Sequence, residues 1–153
     1  MNNEFDFLCE TILHISEVKE NLETISSDLL KRGHAHDRTK LQEPEFSAFV
    51  STSEKFKKAN YGSKEYQECC DVIKSAVDHH YANNRHHTGF YKDGVTDMTL
   101  MDIMEMIADW KAAERRSPDS TLNDTLELTF KKHAIEGQLQ KIITNTLGYL
   151  RWL

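Results

Sequence analysis

The chain is poor in the residues that turn a backbone. It has 2 prolines and 6 glycines in 153 residues, too few for a many-stranded β protein and suited to long helices. It has 3 cysteines, Cys9, Cys69 and Cys70, with no CxxC spacing. Adjacent cysteines rarely pair and an odd count leaves one over, so the thiols read as buried and reduced, not as a disulfide framework or a zinc ribbon. No run approaches the ~18 apolar residues of a membrane span. The opening MNNEFDF is acidic and is not a signal peptide. Excess positive charge is also missing. The net charge of −6 excludes broad nucleic-acid binding, which needs a basic face to displace counterions. A small phosphate-bearing substrate held by one or two local cations remains compatible. The expected setting is the cytoplasm.

What remains is ordinary for a globular chain: 39% hydrophobic and 29% charged residues. The length fits one domain spanning 1–153. Phe5, Leu8, Ile12, Ile15, Leu22, Ile25 and Leu29 recur at steps of three, four or seven and predict a helix over 3–32, with Gly33 as its stop. A short helical piece is expected near His36. Pro44 fits the first turn of another helix, reaching about residue 59. NYGS reads as a loop. A third helix spans 64–82, with Tyr66, Cys70, Ile73, Val77 and His80 on one face. Residues 85–97 form a loop and a fourth helix covers 99–116. Ser117, Pro118 and Asp119 interrupt the chain. The rest is helical with a break near His133, ending in a stripe of Ile135, Leu139, Ile142, Thr146 and Leu150. The fold class is all-α, a bundle of five or six helices.

Chemistry concentrates at the helix ends. DHHYANNRHH holds four of the eight histidines, as His79–His80 and His86–His87. Imidazole is the commonest protein ligand for zinc, iron and manganese. His80 continues the inward face of Ile73 and Val77, whereas His79 is turned about 100° toward the flank. His80 and one of His86 and His87 are therefore expected inside, the other two facing substrate or solvent. His14 borders the first helix's apolar stripe, where a histidine serves as core residue or ligand alike. His36 and Asp37 are adjacent, so both reach one ion only if it sits off the helix end. Lys40 shares their face. In MDIMEMIADW, the carboxylates Asp102, Glu105 and Asp109 lie along one edge of an apolar helix. That edge either faces water or is compensated by cations, because an unpaired buried carboxylate costs several kcal/mol. These groups come from separate helices, and bundles assemble metal sites in this way.

The order H…HD…H…HH…D resembles the HD-domain superfamily of metal-dependent phosphohydrolases. It is carried by His14, the pair His36–Asp37 in HDRTK, His79 or His80, the pair His86–His87, and Asp109 in IADWKAA. HDRTKLQEPE, HHYANNRHH and EMIADWKAA resemble, more narrowly, the blocks of an uncharacterised family of small phage and bacterial proteins. The superfamily resemblance implies a divalent metal (Mn, Fe, Zn, Ni or Co) held by His14, His36, Asp37 and Asp109. It also implies a second ion on the intervening histidines His80, His86 or His87, bridged by Asp37. It implies hydrolysis of a nucleotide or another small phosphate ester. Asp37 would orient or deprotonate the attacking water, and Lys40 with Arg38 or Arg85 would hold the phosphate. His79 would face the substrate, and Glu105 would fix a ligand histidine through its other ring nitrogen. The HD-GYP pattern is absent. Two other readings share these ligands: a di-iron oxygenase, and a non-catalytic phage protein that sequesters a nucleotide or blocks a host protein around a structural metal. Homo-oligomers are compatible with all three.

Overall fold

The computed structural model describes residues 3–58, 63–116 and 121–153. They form six α-helices: α1 (Asn3–Ala35), α2 (Glu45–Lys58), α3 (Lys64–Asn83), α4 (Leu100–Ala113), α5 (Leu122–Lys132) and α6 (Gly137–Tyr149). Short 3-10 turns at Arg38–Leu41, Thr88–Phe90, Gly94–Asp97 and Glu114–Arg116 complete the described secondary structure. The fold is an all-α helical bundle, as the scarcity of turn formers requires. No described helix is long and apolar enough to cross a membrane. The expected breaks at NYGS and at Ser117–Asp119 fall largely or wholly outside the described residues.

Residues 1–35 and 36–153 are two compact units. The first is α1, acidic at its start through Glu4 and Asp6 and basic in its last turn through Arg32 and His34, which complements the helix dipole at both ends. Gly33 does not stop it; the helix runs on to Ala35. The stop comes at Asp37, which takes a left-handed conformation with φ 56°. Termination needs a residue that tolerates that geometry, and aspartate does so more readily than most.

In the second unit, α2 packs on α3, and the 38–41 turn packs on both. Ser63 caps α3 by accepting a hydrogen bond from the Tyr66 amide at 3.1 Å. The buried line of α3 is Cys69, Ala76 and His80, one step round from the expected Cys70 and Val77 but still including His80. The thiols divide: Cys69 is buried, Cys70 intermediate and Cys9 exposed, all free.

The apolar core joins the last three helices. Ile103, Met106 and Ile107 of α4 meet Leu122, Leu126 and Phe130 of α5 and Ile143 and Leu147 of α6, with Ile135 between the last two helices. The inward stripe of α6 is thus Leu139, Ile143 and Leu147, not the expected Ile142, Thr146 and Leu150; Ile142 is 56% exposed. Both stripes are in helical phase from Leu139, and packing selects between the adjacent isoleucines. Capping boxes start α4, with Thr99 and Asp102, and α5, with Thr121 and Asp124. Each satisfies two amides that the first helical turn leaves open.

Candidate metal centre

The site begins where α1 ends. The left-handed Asp37 opens the 3-10 turn Arg38–Leu41, and its carboxylate divides its contacts. Oδ2 receives a hydrogen bond from Lys40 Nζ at 2.6 Å. Oδ1 lies 3.2 Å from His80 Nε2 and 3.5 Å from His86 Nε2. Burial pushes the Asp37 carboxyl up, but His80 and Lys40 beside it outweigh that and hold it well below the usual carboxylate range.

His80 comes from the inward face of α3 and is 3% exposed. His79 next to it has a side chain 40% exposed, so helical phase separates the pair in the expected direction. The second pair behaves otherwise. His86 is 1% exposed, and His87 packs against His86, His80 and Tyr81 with ring centroids 4.0, 4.8 and 4.5 Å away. Both rings of this pair therefore enter the cluster, where one had been expected to stay outside. They lie beyond α3, in a segment that helical spacing does not govern. Burial, then the neighbouring His86 and His80, lower the His87 pKa to about 3, which keeps that imidazole neutral and fit to donate a lone pair.

Asp37 Oδ1, His80 Nε2, His86 Nε2 and His87 Nε2 are buried, and each is without a hydrogen-bond partner. The same four residues can bring one donor atom each within 4.8 Å of one another. Buried polar atoms are nearly always satisfied. Four such atoms, lone pairs turned together, fit a cation. Three imidazoles and a carboxylate suit a first-row transition metal, not calcium or magnesium, which prefer oxygen throughout.

Two further groups adjoin this one, His36–His86–Glu105 and His36–Asp37–Asp109. The first is a clamp. Glu105 Oε1 lies 2.9 Å from His36 Nδ1 and 3.2 Å from His86 Nδ1. Burial raises the Glu105 carboxyl, but these two histidines outweigh it and bring the pKa down to about 2. In the other group His36 Nε2 stands 3.6 Å from both Asp37 Oδ2 and Asp109 Oδ1. Asp109, then Glu105, raise the His36 pKa to about 10 against the opposing effect of burial. His36 and Lys40 thus set positive charge among these carboxylates.

Of the three acids of α4, Glu105 and Asp109 share His36, while Asp102 lies apart. Asp102 is fully buried, caps its own helix and takes Arg85 Nε and Nη2 at 3.1 and 3.2 Å. Arg85, one of the two arginines that the resemblance offers for phosphate, ties the His86–His87 segment to the start of α4. Its guanidinium also lies 5.5 Å from the rings of Phe90 and Tyr91. Arg38 is exposed. His14 lies on α1 in the first unit, and the residues of the three ligand groups lie in the second.

A residue that sequence reading passed over completes the centre. Glu45, the first residue of α2, is fully buried. Its Oε1 is 2.8 Å from His79 Nδ1, and its Oε2 is 2.8 Å from His80 Nδ1 and 2.9 Å from Thr39 Oγ1. The only signal was its place at the end of HDRTKLQEPE, five residues beyond Lys40, where it reads as an ordinary acid in a first helical turn.

A model of a family of unknown function, DUF5662, matches residues 3–149. The chain belongs to that family. The match takes in every residue of the DUF5662 centre described above, from His36 to Asp109. No curated protein and no solved structure matches the chain.

Proposed function

We propose that the chain is a metal-dependent phosphohydrolase of the HD type, acting on a nucleotide or another small phosphate ester. The observation that carries this is the set of four buried, unsatisfied donor atoms on Asp37, His80, His86 and His87. These residues would hold a divalent transition metal. When bound, such an ion lowers the pKa of a coordinated water and offsets charge on phosphoryl oxygens.

The remaining work falls to the chain's own groups. Asp37 is acceptor-only, with its carboxyl held ionised, so it can orient a water by accepting its hydrogen bond. Lys40 Nζ sits on Asp37 Oδ2 with its side chain 34% exposed, positioned to transfer a hydrogen bond to an incoming phosphate oxygen, with Arg38 as a second cation. Glu105 accepts at Nδ1 of both His36 and His86, which would leave their Nε2 atoms to face inward once a metal displaces the proton. Asp109 faces His36 and adds negative charge to the edge of the site.

A second reading has an observation in its favour. Four protein donors can close a tetrahedral site, which would suit a non-catalytic protein with a structural metal. A di-iron oxygenase would draw on the adjoining His36–Asp37–Asp109 group, which shares Asp37.

The test is elemental analysis of the purified chain combined with a release assay over nucleotides and simple phosphate esters. Bound Mn, Fe, Co, Ni or Zn with phosphate release supports the proposal. Iron with oxygen consumption moves the assignment to the oxygenase. Bound metal with neither activity leaves the structural-metal reading.

A further inference from the structure

Glu45 is a costly residue to place where it is. A fully buried carboxylate loses several kcal/mol of hydration unless donors replace the water. Here three donors do: His79 Nδ1, His80 Nδ1 and the Thr39 hydroxyl. The surrounding network leaves little freedom in how they are arranged. Asn84 Nδ2 lies 2.9 Å from Thr39 Oγ1, 2.8 Å from the His80 carbonyl and 3.0 Å from His80 Nδ1, and Thr39 Oγ1 is likewise 3.0 Å from His80 Nδ1. The single Thr39 hydroxyl hydrogen goes to Glu45 Oε2. A carboxylate only accepts, so His80 Nδ1, 2.8 Å from that same oxygen, meets it as an N–H donor. The other nitrogen of a neutral ring must carry a lone pair. That nitrogen is Nε2, buried, without a hydrogen-bond partner and 3.2 Å from Asp37 Oδ1.

We infer that Glu45 is a positioning residue for the metal centre, holding His80 in the Nδ1–H tautomer and aiming its Nε2 lone pair at the cation. The inference rests on the metal-centre reading above. The carboxylate acts through His80 and does not reach the ion itself. A hydrogen-bonded carboxylate also makes an imidazole a stronger donor. His79 anchors the other oxygen from the rim, so the carboxylate cannot swing away from His80. Glu45 and Glu105 thereby divide the work, one carboxylate for the histidines of α3 and one for His36 and His86. A histidine pair on a helix gains a use that neither member has alone: one ring for the ion, one ring to brace the group that orients it.

The test uses the full-length chain stripped of metal and titrated with Co²⁺ alone against a competing chelator, with the visible absorption recorded. Glu45→Gln keeps an acceptor for His80 but removes the charge; affinity should fall by about 10-fold and the visible bands should shift. Glu45→Leu removes the acceptor and should cost about 100-fold. Should either variant fail to fold by circular dichroism, His79→Ala at the half-exposed rim serves instead, with an affinity loss of about 3-fold and a smaller band shift. A Glu45 that is merely structural would lower the melting temperature of the metal-free chain and leave affinity and bands unmoved; that result overturns the inference. A wild-type chain that takes no Co²⁺ overturns the metal-centre reading and this inference with it, whereas wild-type binding equalled by Glu45→Gln overturns the inference alone.

Discussion

Asp37 Oδ1 and His80 Nε2 face each other across 3.2 Å, both buried and neither hydrogen-bonded. With its Nδ1 donating to Glu45, a neutral His80 presents a lone pair here, and it repels the carboxylate unless a proton or a metal cation lies between them. Metal should therefore stabilise the folded chain. At a free concentration 100-fold above Kd the gain is about 2.7 kcal/mol, roughly 5–10 °C in melting temperature for a chain of this size. Thermal melts with chelator and with added Mn²⁺, Co²⁺ or Zn²⁺ measure it. Superimposable melts would remove the basis for the centre.

The two rings of the second histidine pair should count equally. His86→Ala and His87→Ala each remove one buried donor, and each should cost 10-fold or more in metal affinity. His79→Ala should retain full occupancy at saturating metal, since that ring donates to Glu45 and not to the cluster. Elemental analysis after dialysis separates the three. Full occupancy in His87→Ala would mean that its ring only packs against its neighbours.

Lys40 lies against a ligand and cannot itself ligate while protonated. Lys40→Met removes the ammonium that competes with a cation for Asp37, so metal affinity should hold or rise. Turnover of a phosphate ester should fall at least 10-fold in kcat/KM. Loss of metal in this variant would show instead that the ion pair is needed to hold Asp37 in place.

Asp102 gives the bundle an acid-sensitive joint away from the ligands. Burial raises its carboxyl, but Arg85 and Thr99 outweigh that and hold it well below the usual carboxylate range. A depressed folded-state pKa contributes stability that is full above the ordinary aspartate value near ~4 and is lost as pH falls through that value toward the folded one. Asp102→Asn should cost about 1–3 kcal/mol at neutral pH. It should also flatten the loss of stability between about pH 5 and 2. Urea midpoints across that range test both; parallel curves for the two proteins would contradict the assignment.

Much of this was legible in sequence because it depends on helical period. The inward phase of His80 follows from spacing of about 3.6 residues per turn, and the break expected near His133 falls at the end of α5, whereas the stop expected at Gly33 comes after Ala35. What was hidden depends on contacts between distant segments. Asp102, Glu105 and Asp109 look like one acidic edge along α4, yet one caps and anchors, one clamps and one faces His36; nothing in i, i+3, i+7 spacing distinguishes those tasks. Arg85 reads as a free cation beside histidines until Asp102 is folded next to it. Glu45 reads as a helix-start acid, and only the approach of α3 to α2 turns it inward. His86 and His87 sit beyond the reach of periodicity, so their shared direction could not be counted out.

Adjacent side chains on a regular helix point about 100° apart, which sets His36 and Asp37 on diverging paths. The left-handed φ of 56° at Asp37 breaks that rule at the one residue that needs it broken. Backbone geometry and chemistry are consequently tied to a single side chain. Aspartate and asparagine accept this conformation where most residues resist it. Alanine at position 37 would lose the carboxylate and strain the chain together, whereas asparagine keeps the bend and changes only the donor. The position favours glycine, asparagine and aspartate on conformational grounds before any metal is considered, and of these only aspartate brings the carboxylate the centre requires.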